Sequence, residues 1–506
     1  MPTKDTDREQ ELKLAVPEGA TGVVLAHPVL GLSGPEARRK HQVSTYYDTA
    51  DHALARQGVV LRVRRSGGTF VQTVKAEGRP GVAANRGEWE WPIPDDRPDP
   101  SLLGQTPAAG KVAAGLDLRP LITTDIDRTT HTLVMDDGTA IEAAFDAGWI
   151  IAGNAREPVR ELELELRQGD PAVLYRLALQ LHSVVPLTIE TATKSERGFR
   201  LLRGTPPGPS KAAHISLAPD TPGTAAFREI ISVGLHHLLL NRDPALAGNA
   251  EGLHQMRVAI RRLRAALGLF KPHLEQHALA HFAAELRRIG RVFGEARDWD
   301  VFRLQVLPDT LPEDSAGWGD LLKHPAQQQR EAAYQAVTRE IAAPAFTALA
   351  LGLAAWAEQG CASADLLGDR ALRQPIVRLA PDLLDRLARK VDHRGRHIDD
   401  GSDADRHALR KSVRKLRYAI DYLAGAYPRK GVKSYLHACK KLQQSLGDSN
   451  DTVAATGLAE RLADRHGDLA PALGALESIL AARRRDALRA LPKRWRKFHR
   501  EPRFWS

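Results

Sequence analysis

A duplicated helical motif in the second half of the chain restricts its fold more than any other sequence feature. The segment "HQMRVAIRRLRAAL", beginning at His254, aligns without gaps on "HALRKSVRKLRYAI", beginning at His407, and both follow the pattern H-x2-R-x3-R-[RK]-L-R. The same spacing of 153 residues recurs in a second block, where it pairs Gly294 with Gly447 and Asp298 with Asp451. The sequence therefore predicts two similar helical units, which we interpret as a pseudo-symmetric pair of four-helix bundles.

The first half of the chain follows a different pattern. Short β-like runs such as "GVVLRVRRSGG" and "VRELELELRQGD" alternate with turn signals between about residues 7 and 202, which is typical of an antiparallel sheet. A stretch rich in Pro, Gly and Ser follows, and helical periodicity begins after it. We predict an α+β multidomain protein. Its predicted parts are a sheet domain over 1–203, a linker over 204–222 and an all-α domain over 223–506, with repeat units at about 223–372 and 373–500.

The overall charge points to a polyanionic partner. The 506 residues include 72 Lys and Arg against 62 Asp and Glu, a net charge of +10, which favours nucleic acid, polyphosphate or an acidic surface. The longest apolar run, near 342–360, contains Pro344 and is too short for a membrane span, so we expect no membrane insertion. The polar start excludes an ordinary secretory signal, and two distant cysteines suit a reducing compartment, so we expect a cytoplasmic protein.

Both copies of the helical motif carry a stripe of basic side chains beside an apolar face. Such faces normally carry glutamates at i+4, and neither stripe contains one, so the duplication suggests a bound anion that offsets the repulsion. Aromatic residues make up only 5% of the chain and are absent from the stripes, which favours a base-free phosphate chain over nucleic acid. The candidate polyphosphate-binding residues are His254, Arg257, Arg261, Arg264, Arg287, Arg288, Arg291, His407, Arg410, Arg414, Arg417, Lys440 and Lys441.

Charged residues also alternate along the predicted strands. The runs "LRVR", "GEWEW" and "RELELEL" each place like charges two residues apart, on one face of a strand. Acidic and basic faces in one sheet resemble the inside of a polar tunnel, where carboxylates offer ligands for Mg²⁺ or Mn²⁺ and cations cradle phosphates. This set predicts metal-assisted phosphoryl chemistry. No nucleophile motif, P-loop or GxGxxG is present in the sequence.

These residues resemble a known pairing of domains. Residues of about 7–202 resemble the CYTH domain, the triphosphate tunnel family that includes thiamine triphosphatases, class IV adenylyl cyclases and bacterial inorganic triphosphatases; "EQELK" at 9–13 matches its ExExK signature. Residues of about 223–500 resemble the CHAD domain, a duplicated helical module associated with polyphosphate binding. The resemblance implies an eight-stranded antiparallel tunnel with flanking helices and a function as a bacterial, metal-dependent inorganic triphosphatase.

The resemblance also implies roles for particular residues. Glu9, Glu11 and Lys13 would be catalytic, and the metal, Mg²⁺ or Mn²⁺, would be held by Glu9, Glu11, Asp146, Glu161 and Glu163. The triphosphate would be bound by Lys13, Arg62, Arg64, Lys75, Glu88, Arg128 and Lys194. The roles of Glu90 and Glu165, which lie in phase with these positions, stay open.

Three alternatives remain at this point. The chain could be a non-catalytic binding protein on polyphosphate granules, or a triphosphatase or cyclase acting on an organic triphosphate, since the motif identifies the triphosphate and not the group attached to it. A nucleic-acid-binding role has only the net charge and the basic C-terminal segment in its favour. The sequence gives no indication of oligomeric state.

Overall fold

The computed structural model describes residues 9–79, 81–107, 116–310, 318–362, 370–464 and 469–505. The chain forms two compact units. The first unit consists of Met1–Gly208 and Pro344–Ala362, and the second unit of Pro209–Ala343 and Ser363–Ser506.

The first unit contains an antiparallel sheet of nine strands, and not the eight that we predicted. They are β1 (Glu9–Ala15), β2 (Arg38–Asp48), β3 (Val59–Ser66), β4 (Thr69–Arg79), β5 (Ala84–Ile93), β6 (Arg119–Val134), β7 (Ala140–Ala152), β8 (Ala155–Gln168) and β9 (Thr188–Ile189). The strand order is β5-β4-β3-β2-β6-β7-β8-β1-β9, and β1 also pairs with β5, so the first eight strands close into a ring. The additional strand, β9, has two residues that pair with Leu14 and Ala15, a segment too short to show strand alternation in the sequence.

The alternation along β1 and β8 separates a polar inner face from an apolar outer face. Leu12 lies opposite Leu164 and Leu14 opposite Leu162, and all four side chains are fully buried. The side chains between them, such as Lys13 opposite Glu163, point to the other face and into the ring. The first unit also contains the helices α1 (Thr21–Ala26), α2 (Ala53–Arg56), α3 (Ala172–His182) and α4 (Lys194–Arg203). Helix α2 contacts β3 and α3 contacts β8, whereas α4 packs on β6 and β7 from inside the ring, where Phe199 shares a hydrophobic cluster with Ile122 and Ile126.

The second unit is mostly helical over its described residues. Its helices are α5 (Gly223–Leu240), α6 (Arg242–Leu246), α7 (Ala250–Phe270), α8 (Gln276–Val301), α9 (Leu307–Thr310), α10 (Trp318–Ala342), α12 (Ile376–Gly395), α13 (Asp403–Leu423), α14 (Arg429–Ala463) and α15 (Ala470–His499), with α11 (Pro344–Ala362) in the first unit. The two copies of the repeated motif are α7 and α13, which pack against each other. Their arrangement as two four-helix bundles stays a prediction.

Helix α11 is placed differently from our sequence interpretation, which counted it in the first helical repeat. It belongs to the first unit and packs on α3, where the imidazole Nε2 of His182 lies 2.8 Å from the carbonyl oxygen of Pro344. Its side chains Leu351 and Leu353 are fully buried. Residues 205–218, within the predicted linker, are described and adopt neither helix nor strand.

No single described helix is long and apolar enough to cross a membrane. Only the consecutive helices Asp320–Ala342 and Pro344–Gln359, taken together, reach the required length and composition.

Candidate active site

The inner face of the ring gathers the candidate residues of four strands and of α4. Lys13 on β1 lies beside two carboxylates, with its Nζ 3.0 Å from Oε2 of Glu11 and 3.0 Å from Oε1 of Glu163. Adjacent antiparallel strands place directly opposed side chains on one face, which explains the meeting of Lys13 and Glu163. The side chain of Glu9 lies outside the described residues.

Lys194, the first residue of α4, enters the same cluster from the helix end. Its Nζ lies 2.6 Å from Glu161, 2.7 Å from Glu163 and 2.9 Å from Asp146. A capping box between Thr193 and Glu196 fixes the start of this helix and so holds the lysine in place.

Arg128 on β6 completes the cluster. It forms a bidentate pair with Asp146, both N–O distances being 2.6 Å, and also bonds Glu163. We call Glu11, Lys13, Arg128, Asp146, Glu161, Glu163 and Lys194 the Glu163 cluster. Its members Asp146 and Glu161 are only 1% exposed, so their charges depend on these cations.

The electrostatics of the cluster follow from burial set against opposite charge. Burial alone would raise the pKa of Glu163, but Lys13, Lys194 and Arg128 outweigh it and hold this pKa well below its usual range. Burial would likewise lower the pKa of Lys13, and the carboxylates of Glu11 and Glu163 raise it instead. Lys13 therefore stays protonated, which suits binding of a phosphate and not removal of a proton.

Glu11 is the exception among the carboxylates. Burial, and then the neighbouring charge of Glu163, raise its pKa. Lys13, 3.0 Å from both carboxylates, offsets only part of their repulsion, and further positive charge there would relieve more of it.

A second charged group lies on β3, β4 and β5. Arg64 Nη2 is 2.9 Å from Glu90, Lys75 Nζ is 3.0 Å from Glu88, and Arg62 Nη2 is 3.6 Å from both carboxylates. We call these five residues the Arg62 group. It has one more cation than carboxylates, so it retains net positive charge for an anion.

Both groups line one cavity of about 930 Å³ inside the ring. Lys13, Glu11, Glu163, Lys194 and Arg128 contribute to its wall, as does the whole Arg62 group. Asp146 and Glu161 do not line the cavity. They form ion pairs with Arg128 and Lys194, which do. Glu90 and Glu165, whose roles the sequence left open, both line the cavity.

The helical unit presents its candidate residues with fewer carboxylates. Arg257 Nη1 lies 2.7 Å from Asp298, and its counterpart in the second repeat, Arg410, lies 3.4 Å from the counterpart carboxylate, Asp451. The repeat alignment thus pairs equivalent contacts. Arg261 and Arg414, one helical turn further along, have no carboxylate within salt-bridge distance among the described residues.

These four arginines, Arg257, Arg261, Arg410 and Arg414, form what we call the arginine cluster. Burial, and then the charges of Arg261, Arg410 and Arg257, lower the pKa of Arg414 to about 9. The Nε of Arg261 is buried and has no hydrogen-bond partner. Asp298 and Asp451 contact only two of the four arginines, so the cluster retains net positive charge at neutral pH.

The residues predicted to bind polyphosphate lie in different environments within the helical unit. Arg261, Arg264, Arg287 and Arg414 line a cavity of about 520 Å³, together with Lys271, Lys411 and Lys415, and no acidic side chain lies in its described lining. Arg288 is instead bonded to Glu340 at 2.5 and 2.8 Å. Arg291, Lys440 and Lys441 are exposed, and burial lowers the pKa of both His254 and His407.

The basic stripes contain no glutamate at i+4, but one aspartate takes that position. Arg417 Nη1 lies 2.8 Å from Asp421, four residues later on α13. This contact relieves part of the repulsion in the second stripe.

Comparison with known families explains both parts of the chain. Residues 7–199 match the CYTH domain, and residues 229–460 match the CHAD domain. The chain carries a CYTH domain followed by a CHAD domain. The family resemblance of the sequence is therefore confirmed.

Individual relatives agree with this assignment. A Haemophilus influenzae protein named inorganic triphosphatase is 31% identical over 206 residues, covering 38% of this chain and 55% of that protein, so the chain spans little more than half its length. An uncharacterized protein of Mycobacterium tuberculosis is 26% identical over 443 residues. The match covers 81% of this chain and 80% of the length of that protein. The crystal structure of the CHAD domain from the plant Ricinus communis aligns with a TM-score of 0.51 at 28% identity, over 58% of this chain and 99% of that domain.

The chemistry of the CYTH carboxylates fits a divalent metal. Among the described side chains, no group of three or more His, Cys, Asp or Glu residues is arranged to hold a metal ion as it stands, because lysines and arginines occupy the carboxylate oxygens. The donors are nevertheless hard oxygens of the kind Mg²⁺ and Mn²⁺ prefer. The raised pKa of Glu11 beside Glu163 marks the place where added positive charge is most favourable.

Sequence reasoning missed several residues that the structure brings into these sites. Arg197 on α4 bonds Glu157 at 2.6 Å and also bonds Glu161, so it balances the last carboxylate of the Glu163 cluster. Its position three residues after Lys194 puts it on the same helical face and could have identified it. In the CHAD domain, Lys411 and Lys415 directly follow Arg410 and Arg414 in the sequence.

Proposed function

We propose that the CYTH domain hydrolyses inorganic triphosphate with Mg²⁺ or Mn²⁺, and that the CHAD domain binds inorganic polyphosphate. The observation that carries the enzymatic part is the joining of the Glu163 cluster and the Arg62 group in one cavity. The name of the Haemophilus influenzae relative supports the choice of substrate.

Charge balance supports the need for a metal. The carboxylates Glu11, Asp146, Glu161 and Glu163 face the cations Lys13, Arg128, Lys194 and Arg197, so this part of the tunnel is close to neutral. A triphosphate carries several negative charges and gains little from a neutral wall. A divalent ion held by Glu9, Glu11 and Glu163, with Asp146 and Glu161 as further candidate ligands, would neutralise phosphate charge and activate water for attack on phosphorus.

The protein's own side chains would bind and orient the substrate. Arg62, Arg64 and Lys75 would hold phosphate oxygens, since guanidinium and ammonium groups neutralise charge that grows on the leaving phosphate. Lys13, kept protonated by Glu11 and Glu163, would donate a hydrogen bond to the reacting phosphate. Asp146 would also orient Arg128, by holding its guanidinium in a bidentate pair.

Phosphate release tests the enzymatic proposal. Purified protein is incubated with tripolyphosphate, ATP or thiamine triphosphate, with Mg²⁺, Mn²⁺ or a chelator, and we expect metal-dependent release that is fastest on tripolyphosphate. Glu11→Gln should lower turnover about 100-fold or more, because it removes one charged oxygen ligand. Glu18→Gln, at an exposed carboxylate outside the cavity, is the matched control. Faster turnover of ATP or thiamine triphosphate would favour the organic-triphosphate alternative.

The arginine cluster favours a second function, the binding of polyphosphate. Its net positive charge and the 520 Å³ cavity, whose described lining has seven basic side chains and no acidic one, suit a flexible phosphate chain. Binding of labelled polyphosphate to the full chain, with RNA and DNA as competitors, tests it. Displacement by nucleic acid at an equal phosphate concentration would contradict the preference for polyphosphate. Binding without turnover of any triphosphate would favour a granule-associated binding protein.

A further inference from the structure

One end of the tunnel is extended by a strand that outruns its neighbour. Strand β2 pairs with β3 only from Gln42 onward, since Gln42 lies opposite Ser66, the last residue of β3. The preceding residues, 38–41, pair only with β6, where Arg38 lies opposite Thr130 and Lys40 opposite Arg128. These four residues therefore form a projecting wall at the mouth of the tunnel.

This wall carries cations that differ from those deeper inside. Arg38, Arg39 and Lys40 are exposed, and among the described residues none has a carboxylate within 4.0 Å. We call these three residues the mouth cations. By contrast, Lys13, Arg128 and Lys194 each bond at least two carboxylates.

The other basic side chains of the mouth already contact carboxylates. His41 lies 3.3 Å from Asp125 and 3.0 Å from Asp127. Arg167 bonds Glu142 at 2.8 Å and also bonds Glu165. Among the described rim residues, the mouth cations are therefore the basic side chains without a carboxylate partner, and they are available to an incoming anion.

The mouth cations are continuous with the reacting end of the tunnel. Arg38, Arg39 and Lys40 line the same 930 Å³ cavity as Lys13, Glu163 and the Arg62 group. Lys40 shares its strand face with Arg128, because directly paired residues project to the same side, and Arg38 lies on that face about 7 Å further out. A chain whose end lies beside Lys13 could continue past Lys40 to Arg38 without leaving the cavity.

We infer that Arg38, Arg39 and Lys40 are specificity-determining residues that hold the distal phosphates of linear polyphosphate chains longer than three phosphates while the chain end reacts inside. The inference rests on the proposed triphosphatase function. The reaction adds one water, breaks the terminal P–O–P bond, and yields orthophosphate and a chain shorter by one phosphate, with the proton released to solvent. Lys40 lies opposite Arg128 and so within reach of a short substrate, whereas Arg38 lies about 7 Å further out on the same strand face, so the mouth cations make their additional contacts with longer chains.

The test compares two substrates in one variant. The values of kcat/KM for tripolyphosphate and for a long-chain polyphosphate are measured for the full chain and for the triple variant Arg38→Gln, Arg39→Gln, Lys40→Gln. We expect kcat/KM for the long chain to fall about tenfold or more through KM, since each lost phosphate contact weakens binding of a polyanion, while the value for tripolyphosphate changes less than about twofold. The charge-preserving variant Arg38→Lys, Arg39→Lys should retain the long-chain preference.

Two controls make the result specific to the mouth. Arg65, Arg97 and Arg203 are exposed cations of the first unit that do not line the cavity, and their replacement by Gln removes the same charge without changing the ratio. The comparison is repeated with the four arginines of the arginine cluster changed to Gln, so that polyphosphate held by the CHAD domain does not contribute.

Each failure has a distinct meaning. Equal loss on both substrates would show general electrostatic steering and overturn the inference, as would an unchanged ratio. Wild-type protein that hydrolyses tripolyphosphate but not longer chains would overturn the inference and leave the proposed function intact. Protein that hydrolyses neither substrate would contradict the proposed function itself.

Discussion

The CYTH tunnel and the CHAD arginine cluster use the same kinds of cation in opposite settings. In the tunnel, Lys194 bonds three carboxylates, and Arg128 is locked in a bidentate pair. In the CHAD domain, Arg261 and Arg414 face other arginines, and among the described residues neither has a carboxylate partner. The Glu163 cluster of the tunnel is thus internally compensated, whereas in the arginine cluster only Arg257 and Arg410 have carboxylate partners among the described residues.

This difference predicts different selectivity. Compensated cations are held in fixed positions, which suits recognition of a short substrate whose phosphates must be aligned for reaction. Uncompensated cations attract a long, flexible phosphate chain, with an affinity that depends on the number of contacts and on salt. Under the proposed functions, the CHAD domain would bind the polymer and the CYTH domain would react with a defined phosphate end.

Removing a compensating cation should have the largest effect on stability. Lys194→Met leaves Asp146, Glu161 and Glu163 with one fewer partner in a buried site, so we expect the CYTH domain to lose about 3–5 kcal/mol of unfolding free energy. Urea denaturation, with hydrogen exchange of β8 to assign the loss to this domain, measures it.

Lys40→Met is the matched control, since this lysine is exposed and unpaired among the described residues, and its change should stay within about 0.5 kcal/mol. Equal stability of the two variants would show that the carboxylates do not depend on Lys194.

The second largest expected effect is a difference between the two sites in how strongly salt weakens phosphate binding. If the arginine cluster makes four phosphate contacts, raising NaCl from about 50 to about 200 mM should weaken polyphosphate binding roughly 100-fold through counterion release. The KM for tripolyphosphate should change much less, because the fixed charges of the tunnel are largely buried and screened less. Titrations of labelled polyphosphate and steady-state kinetics at matched salt provide both numbers. If polyphosphate affinity and the KM for tripolyphosphate depended equally on salt concentration, the proposed difference between the two sites would be contradicted.

The sequence predicted the inward-facing residues of the tunnel better than their partners. A period of two in "RELELEL" places Glu161 and Glu163 on one strand face, and the structure confirms that both are buried. The spacing does not show that Arg128 and Lys194, distant along the chain, would occupy their oxygens, because strand order and the docking of α4 decide those contacts. Alternation identifies a face, and tertiary structure determines the pairs on it.

The helical half shows the same limit. The repeat identified Arg257 with Arg410 and Asp298 with Asp451, and the structure shows the corresponding ion pairs. The separate placement of α11 in the first unit was missed, because an apolar helix has the same sequence pattern whichever neighbour buries it.

Neutralising part of the arginine cluster should weaken binding without weakening the fold. Arg261→Gln with Arg414→Gln should lower the affinity for polyphosphate about tenfold, since two phosphate contacts are lost. The same change should leave the CHAD domain equally stable or more stable by about 0.5 kcal/mol, because like-charge repulsion between these groups is removed.

Arg288→Gln is the control of opposite sign, since this guanidinium is bonded to Glu340 and Glu285. It should cost stability and leave polyphosphate affinity nearly unchanged. Isothermal titration measures the polyphosphate affinity and thermal unfolding measures the stability of each variant. If the double variant Arg261→Gln, Arg414→Gln were clearly destabilised, these two arginines would not be uncompensated.

The smallest effect concerns acid stability of the CHAD domain. His237 is 2% exposed, and its Nε2 lies 3.1 Å from the carbonyl oxygen of Ser210 and from Oε1 of Gln255. Burial, with smaller contributions from Arg262 and His236, lowers its pKa from 6.5 to about 4. The folded state therefore binds fewer protons than the unfolded state between these values, so stability present above pH 6.5 is lost as pH falls toward 4, with about 1 kcal/mol lost by pH ~5.5.

His237→Gln should flatten this dependence, because a neutral amide does not take up a proton. The matched control is His277→Gln at an exposed position of α8, which should leave the pH profile as it is. Both burial and the charge of Arg262 oppose protonation of the His237 imidazole. If His237→Gln left the pH profile of stability unchanged, another group would have to titrate in this range, and His237 would not cause the acid sensitivity of the CHAD domain.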